Sequence, residues 1–597
     1  MFLLMILYYS LTILIPIYFI NLTVKFWKQR QQNLLYPRGY DKSKINNCPQ
    51  KSDQNIRDGY SKKKIPDKID AIVIGSGIGG LTCAGLLSKA GKRVIVLEQH
   101  YIAGGCTHSF EDKGFEFDTG IHYIGNIEKR KKILDLITEP KIEWDQMGNK
   151  ENGYCYDEIV VEDKHYYLRA GEEAFLREAY KYFPEEIENV KKYLQYVKEV
   201  SKKDIFFNLK ILQCRPLAKL LSWILSKSFF KHTQETALEV VKKFTNNIDL
   251  QAFLLGQFGD YGKTPSQESF FLHASIVNHY LNGAWFPRGG SSVIAKNILP
   301  IIEKTGGRVL VRKGVKEILI ANKKVVGVEM INGDRIYSPI VISACGVSNT
   351  WKKLVPKNLV PEKIISNIDE LGLSCSFTYV FIGMEGTPND LELRSSNIWH
   401  WPNRDYDQMI EEFHKDPKRA PIPMFIGFPC SKDSTWEKRF PGKSNAVILT
   451  MAKFEEFDSW KDERPGKRSP EYQKLKKQYA DRILEEGLYH YYPKTRGKVT
   501  YCEVGSPLTF NHYIGSQRGE CYGLNSKPMR FQHDDWLIPQ TDISGLYLTG
   551  QDITTLGVTG AMMAGVLTAH SVLGYGTVGD LISGRNLIED IIHMENK

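Results

Sequence analysis

Two short apolar runs, the first of which ends at a glycine, mark the clearest secondary structure in this chain. Residues 71–74 (AIVI) and 93–97 (RVIVL) are such runs, and small and apolar residues fill most of 78–90 between them. Short apolar runs bounded by turn residues are typical of buried strands, and the longer stretch is typical of a helix. The pattern predicts a strand, a glycine turn, a helix and a second strand.

The predicted turn has the spacing of a dinucleotide-binding loop. Gly75 permits the tight turn, Gly77 lets the backbone approach a pyrophosphate, and Gly80 lets helix and strand pack closely. Glu98, at the end of the second strand, is placed to accept hydrogen bonds from an adenosine ribose. The alternative is a βαβ unit whose glycines serve packing alone. The predicted cofactor-binding residues here are Gly75, Ser76, Gly77, Ile78, Gly79, Gly80, Glu98 and Gln99.

Two later segments add candidate ligand contacts. A glycine pair opens residues 104–110 (GGCTHSF), and an apolar strand at 545–552 ends in an acid before a small-residue helix at 557–570. An acid at a strand end, followed by a helix N-terminus, suits the ribityl hydroxyls and the anionic edge of a reduced flavin. The alternatives are a plain loop and a helix that only packs closely. The candidates are Gly104, Gly105, Gly550, Asp552, Val558 and Thr559.

The N-terminus is apolar, and a basic segment follows it. Residues 1–24 contain no charged side chain, and a helix of that length spans a hydrocarbon layer of about 30 Å. A cleaved signal peptide is the alternative, but the basic start and small-residue cleavage site of such peptides are absent. Residues 25–68 hold twelve Lys or Arg and four Asp or Glu, which is +8 of the chain's +10.

The apolar N-terminus and the basic segment after it predict an N-terminally anchored membrane protein whose body faces the cytoplasm. We expect the membrane to be that of the endoplasmic reticulum or another endomembrane. Outside the juxtamembrane segment the charge is nearly balanced, and no nucleic-acid-reading motif is present, so we expect no nucleic-acid partner. The ten cysteines have no CxxC spacing, so the sequence predicts neither a disulfide framework nor a metal site. The 597-residue chain is 42% hydrophobic and 25% charged, which is typical of a globular protein.

Several motifs together resemble the retinol saturases. They are VIGSGIGGLTCAGLLSKAGKRVIVLEQH, GGCTHSF, FDTGIHYIG, FPRGGSSVIAKNI, GGRVLVRKGVKEILI and GLYLTGQDITTLGVTGAMMAG. The likeness spans roughly residues 68–575 and extends to carotenoid desaturases and isomerases, which are flavoproteins of the glutathione-reductase fold type. It implies an α/β fold in which discontinuous segments build a Rossmann-like FAD-binding domain, with a substrate domain of mixed sheet and helices inserted between them. By the same resemblance, the backbone of Val315 would meet the adenine.

The predicted units follow from the motifs and from the composition between them. They are an anchor helix at 1–24, a basic linker at 25–68, FAD-binding segments at 69–135, 286–350 and 535–597, a helical cap at 136–285, and a substrate-domain sheet with helices at 351–534. Within the cap, residues 202–231 carry seven basic residues and one acid among Ile, Leu, Phe and Trp. Such a stretch is typical either of a helix in the membrane interface or of a core helix with a basic solvated face.

The resemblance implies reduction of a C=C bond in retinol or a related apolar polyene, by hydride transfer at the flavin N5 position. The reaction also needs a proton, for which the candidates are His122, Tyr123 and His512. NAD(P)H or an electron-donor partner would reduce the flavin. A carotenoid isomerase or desaturase on the same scaffold is the alternative, and a non-catalytic lipid-binding chaperone resembling Rab GDP-dissociation inhibitor is a second.

Overall fold

The computed structural model describes residues 56–201, 207, 209–212, 215–225, 227–531, 536–574 and 576–583. The predicted anchor at 1–24 and most of the basic linker lie outside the described residues. Within the described parts, no helix is both long and apolar enough to cross a membrane.

The strands, in chain order, are β1 (Ala71–Ile74), β2 (Val94–Leu97), β3 (Ser109–Asp112), β4 (Phe115–Asp118), β5 (Ile124–Gly125), β6 (Trp144–Gln146), β7 (Cys155–Val161), β8 (Lys164–Arg169), β9 (Ala284–Pro287), β10 (Arg308–Leu310), β11 (Val315–Ala321), β12 (Lys324–Met330), β13 (Arg335–Tyr337), β14 (Val341–Ser343), β15 (Ser376–Glu385), β16 (Asn397–Trp401), β17 (Met424–Gly427), β18 (Lys443–Ala452), β19 (Val499–Gly505) and β20 (Leu546–Leu548).

The longer helices are α1 (Ile78–Lys89), α2 (Ile127–Ile137), α3 (Glu172–Tyr182), α4 (Ile187–Ser201), α5 (Arg215–Leu225), α6 (Lys227–Thr233), α7 (Ala237–Val241), α8 (Ile248–Leu255), α9 (Phe270–Tyr280), α10 (Val293–Glu303), α11 (Glu362–Leu371), α12 (Tyr406–Lys415), α13 (Pro470–Arg482), α14 (Pro507–Ile514), α15 (Gly557–Leu573) and α16 (Thr577–Ile582).

Five short parallel strands from distant parts of the chain form one sheet, in the order β10-β2-β1-β14-β20. The strands come from three stretches, 71–97, 308–343 and 546–548, which fall within the three segments that the sequence predicts to bind FAD. Every residue of β1 and β2 is buried, as expected for a parallel sheet covered on both faces. The Rossmann-like sheet is therefore completed by a strand close to the C-terminus.

Helices α1 and α15 pack against each other through glycine. A Cβ on Gly565 of α15 would lie 2.5 Å from the carbonyl oxygen of Gly79, and a Cβ on Gly79 would lie 2.9 Å from that of Ala561. Both distances are far below ordinary contact, so only glycine permits this backbone approach. The contact holds the N-terminal ends of both helices at one edge of the parallel sheet.

A second sheet of seven strands has the order β19-β15-β18-β17-β16-β7-β8. Its strands pair antiparallel except for β16 with β7, which are parallel. Within the predicted substrate-domain sheet, the apolar runs at 373–384 and 446–451, which are typical of strands, correspond to β15 and β18. The prediction of a helical segment at 136–285 missed β7 and β8, because β7 carries two buried acids, Asp157 and Glu158, inside an otherwise apolar run.

The helices of the 136–285 segment cover one face of the seven-stranded sheet. Their core is rich in fully buried aromatic side chains, among them Tyr193, Phe253, Phe258 and Phe270. The sequence pattern at 470–489 predicts one amphipathic helix, but in the structure α13 ends at Arg482 and a π-helical segment at Ile483–Leu488 follows it.

We expect Gly565→Val to destabilise the protein by about 1–3 kcal/mol, because the added side chain must push α1 and α15 apart. Thermal unfolding measures the change. Gly579→Ala in α16 is the matched control, since a Cβ there meets no neighbouring atom and the site is exposed. Equal melting temperatures for the two variants would contradict the packing argument.

Candidate active site

A cavity of about 540 Å³ lies where the carboxyl ends of the parallel strands face the seven-stranded sheet. Residues that follow β1, β2, β14 and β20 line it, and so do side chains of β15 to β18. Ligands of open α/β sheets bind outside the carboxyl ends of the strands, where the strand order reverses. Here the reversal falls at β1, between β2 and β14.

One side of the cavity is lined by five glycines that we call the glycine wall: Gly75, Gly77, Gly105, Gly550 and Gly557. A Cβ added at Gly77, Gly550 or Gly557 would meet no protein atom within 4 Å, so the open space beside these backbones belongs to the cavity. Gly77 caps the N-terminus of α1, and Gly557 begins α15. Two helix N-termini therefore face the same space, which suits a pyrophosphate.

Glu98 lines the cavity, and its carboxylate is fixed by the chain around it. Its Oε2 accepts hydrogen bonds from the Ser76 backbone N–H at 2.9 Å and from Ser76 Oγ at 2.7 Å, and its Oε1 accepts one from the His100 N–H at 2.8 Å. Ser76 Oγ in turn accepts the Gly104 N–H at 3.0 Å. Ser76 and Gly104 thus lie behind the cavity surface and hold the predicted ribose-binding carboxylate in place.

Asp552 connects three parts of the site. Its Oδ2 accepts the Val347 N–H and its Oδ1 accepts the Leu524 N–H, both at 2.9 Å. The side chain lines the cavity, as do the other predicted contacts Gln99, Val315 and Val558. Thr559, like Ser76 and Gly104, does not contribute to the lining.

Large apolar side chains line the other side of the cavity, and we call them the apolar wall: Phe377, Tyr379, Trp399, Trp401, Phe425, Leu449, Met451 and Tyr522. The sequence analysis did not identify them. The available signal was the two-residue spacing within β15, β16 and β18, because residues i and i+2 of a strand share one face. A wall of this composition suits an extended apolar ligand.

The three predicted proton donors occupy different environments. His122 lines the cavity, and its Nε2 is buried without a hydrogen-bond partner among the described residues. Burial, with the Lys432 charge, lowers the pKa of His122 to about 3, so its ring is neutral at pH 7. Tyr123 also lines the cavity. His512 is exposed and outside the lining, whereas its neighbour Tyr513 lines the cavity.

A buried polar cluster lies behind the apolar wall, and no sequence motif indicated it. The Tyr123 hydroxyl lies 3.0 Å from Asp157 Oδ2 and 3.0 Å from Asp260 Oδ2. Lys432 Nζ donates to the His122 carbonyl at 2.9 Å and to Asn397 Oδ1 at 2.5 Å. Of this cluster, Tyr123 and Asp260 reach the cavity surface.

We expect Gly77→Val to remove bound FAD, because the new side chain fills the space that the pyrophosphate needs. The open surroundings of Gly77 predict that the protein still folds. The ratio of flavin absorbance to protein after purification measures the loss, with Gly579→Ala as the control. A Gly77→Val protein that retains one FAD per chain would show that the glycine wall does not bind the cofactor.

Comparison with known proteins agrees with this geometry. A family model described as flavin containing amine oxidoreductase matches residues 78–573. The chain is 38% identical to a zebrafish (Danio rerio) protein named all-trans-retinol 13,14-reductase, over 87% of this chain and 88% of that one. It is 26% identical to the chloroplastic prolycopene isomerase of Daucus carota, over 87% of this chain and 82% of that one.

Among solved structures, the cyclohexylamine oxidase of Brevibacterium oxydans shares the fold, with a TM-score of 0.54 at 14% identity, over 87% of this chain and 99% of that one. The family match implies the flavin cofactor that the sequence predicts. The chain belongs to the flavin containing amine oxidoreductase family and is an FAD-dependent oxidoreductase related to the all-trans-retinol 13,14-reductases.

Proposed function

We propose that this protein saturates a C=C bond of all-trans-retinol or a related polyene with FAD as the cofactor. The observation that carries the proposal is that one cavity has both a glycine wall and an apolar wall. A dinucleotide bound on the first would share its space with an apolar chain packed on the second. The 38% identity to a protein named for retinol reduction supports this choice of substrate.

The residues of the glycine wall fit FAD. The open backbones at Gly77, Gly550 and Gly557 would accept the pyrophosphate and ribityl chain, and Glu98 would accept the ribose hydroxyls. When bound and reduced, FAD supplies a hydride. The protein's part is to hold a double bond beside the flavin, exclude water and provide a proton.

The apolar wall would orient the polyene. Tyr379, Phe425 and Trp399 are buried, and the Trp399 and Phe425 rings meet edge to face at 4.7 Å between centroids. Rings packed in this way form a rigid surface, and a conjugated chain that packs on it leaves water. The position of the double bond relative to the flavin would thus be set by the shape of the wall.

Isomerisation of a carotenoid is the second candidate, favoured by the 26% identity to prolycopene isomerase. Both reactions use the same cofactor and an apolar polyene. They differ in the product, since saturation removes one conjugated double bond and isomerisation removes none.

The test is an anaerobic half-reaction on the full chain. Purified yellow protein is reduced, all-trans-retinol is added, and the flavin and retinoid spectra are followed. We expect the flavin to be re-oxidised as the retinoid loses one conjugated double bond. The same assay is run with a carotenoid in place of retinol. Cis–trans isomerisation of the carotenoid without re-oxidation of the flavin would favour the isomerase. A yellow protein inert to both would refute the polyene assignment.

We propose that NAD(P)H or a protein partner supplies the electrons. Repeating the flavin reduction with NADPH, NADH or a cell membrane fraction identifies the electron donor.

We also propose that the protein acts at an endomembrane such as that of the endoplasmic reticulum, with its body facing the cytoplasm. The support lies in α5, where Leu220, Trp223 and Ile224 are 53%, 74% and 53% exposed. Their spacing of three and four residues puts them on one helix face. Ahead of α5, Lys210 Nζ donates to the Ile553 carbonyl beside Asp552, so this segment lies next to the cavity. A retinoid leaving the membrane at α5 would have a short path to the apolar wall.

In a chain lacking residues 1–30, we expect replacement of Leu220, Trp223 and Ile224 by Ser to weaken binding to anionic lipid vesicles at least tenfold. Burying each such side chain contributes about 1.5–3 kcal/mol. Vesicle co-sedimentation measures the binding. The matched control replaces the exposed Ile248 and Tyr337 by Ser, since these side chains lie elsewhere on the surface. Equal loss of binding in both variants would refute a specific role for α5.

A further inference from the structure

Asp260 is held at the cavity surface by tight packing of its own turn. The 3-10 turn Phe258–Asp260 joins α8 to α9, and the Asp260 N–H donates to the Gln257 carbonyl at 3.1 Å. A Cβ on Gly259 would lie 2.1 Å from the Trp399 ring, so the backbone presses directly on the apolar wall. The carboxyl group of Asp260 is therefore fixed among apolar and aromatic side chains.

The four carboxyl groups that line the cavity differ in their donors. Glu98 and Asp552 accept the backbone N–H groups described above. Glu520, whose pKa burial raises, accepts those of Gln517 and Arg518 at 2.9 and 2.7 Å. Asp260 accepts no N–H from any residue that the structure describes, and its one partner there is the Tyr123 hydroxyl. An N–H donor stabilises a carboxylate, so Asp260 lacks the stabilisation that the other three have.

The hydrogen bonds of the cluster place one proton on Asp260. Tyr123 has a single hydroxyl hydrogen, yet its oxygen lies 3.0 Å from both Asp157 and Asp260. Asp157 also accepts amide N–H groups from Asn397 at 2.8 Å and Gln257 at 3.1 Å. Asp157 is therefore the carboxylate that receives the tyrosine proton, and the Asp260 carboxyl must donate to the tyrosine oxygen.

The electrostatics agree with this assignment. Burial, together with the negative charge of Asp157, raises the pKa of Asp260 well above its ordinary value. Among the other titratable groups of this cluster, Tyr156, Tyr280 and Tyr522 are neutral at pH 7 because burial raises their pKa. Burial lowers the pKa of Lys432 to about 7, and its charge interacts with the Asp157 carboxylate. In this environment Asp260 is a neutral acid at the wall of the cavity.

We propose that Asp260 donates the proton that completes reduction of the substrate double bond, an inference that rests on the proposed function. The O–H bond of its carboxyl group breaks and a C–H bond forms at one alkene carbon, while the other carbon receives the hydride that reduced FAD supplies. The π bond is lost, the alkene gains two electrons, and the flavin loses two. Asp260 becomes a carboxylate that accepts the Tyr123 hydroxyl, and solvent returns its proton.

This role separates Asp260 from the donors that the sequence suggested. A neutral His122 has no proton acidic enough to transfer at pH 7, and His512 does not reach the cavity. Burial raises the pKa of Tyr123 far above 10, which makes its hydroxyl a poorer acid than a carboxyl group. Tyr123 is instead a positioning residue that orients Asp260.

The test compares Asp260→Asn, Asp260→Glu and Asp462→Asn in the full FAD-loaded protein. Asn keeps the shape of the side chain, and its amide N–H can still donate to the Tyr123 oxygen, but it carries no acidic proton. Asp462 is an exposed carboxylate and serves as the control. We expect retinol to re-oxidise the reduced flavin 100- to 10,000-fold more slowly in Asp260→Asn, which is the usual contribution of a general acid. Asp260→Glu should recover part of the rate, and FAD content should be unchanged.

An infrared measurement on each protein without substrate gives an independent readout. At pH 7, the spectrum of the wild type minus that of Asp260→Asn should contain a protonated carboxyl band, and the spectrum of the wild type minus that of Asp462→Asn should contain none. An Asp260→Asn rate near that of the wild type, or a wild-type minus Asp260→Asn spectrum without this band, would overturn the assignment. If the wild-type protein shows the band but does not reduce retinol, the proposed function fails, and the role of Asp260 as donor falls with it.

Discussion

The close approach of α1 and α15 is the constraint on which the cofactor site depends. The contact between Gly79 and Gly565 sets the separation of the two helices, and that separation brings both N-termini to one edge of the parallel sheet. The unpaired N–H groups and positive dipole ends of both helices then act on the same space. A larger residue at either position would move one helix end away, so the electrostatic fit to a dinucleotide follows from steric packing.

The cavity also has two sides with different electrostatic environments: one favours negative charge, and the other favours an uncharged carboxyl group. Beside the glycine wall, the N–H groups of Ser76 and His100 donate to Glu98, and two helix N-termini face the space expected to hold the phosphates, so negative charge is favoured there. Beside the apolar wall, Asp260 accepts no N–H from any residue that the structure describes, and Trp399 packs against its turn, which favours the neutral acid. A reaction that needs both a bound anion and an acidic proton benefits from this separation. The N–H groups that stabilise the anion are kept apart from the carboxyl group that must stay protonated.

The sequence predicted the cofactor side of the protein much better than the substrate side. The cofactor side was predictable because its residues lie at the ends of predicted strands, where local sequence determines the turn and the residue that follows it. These residues are the turn at 75–80, Glu98 and Asp552. The apolar wall comes from strands β15 to β18, whose apolar residues look like ordinary core residues until the fold opens a cavity beside them. No feature of the sequence marks Asp260 as a functional residue, because only tertiary packing brings Tyr123 and Asp157 close to it. The same limit explains why β7 was missed, because Asp157 is hydrogen-bonded to Tyr123, Gln257 and Asn397, which lie far away in the chain.

The discontinuous sheet has a consequence for how the protein is made. Strand β20 lies at residues 546–548 and completes a sheet that begins at residue 71. Two of the five glycines of the glycine wall, Gly550 and Gly557, follow β20 in the chain. During synthesis the first βαβ unit leaves the ribosome hundreds of residues before its partners. The complete glycine wall therefore forms only after β20 and the start of α15 have been synthesised, and the growing chain must remain competent to fold without a cofactor bound there until then.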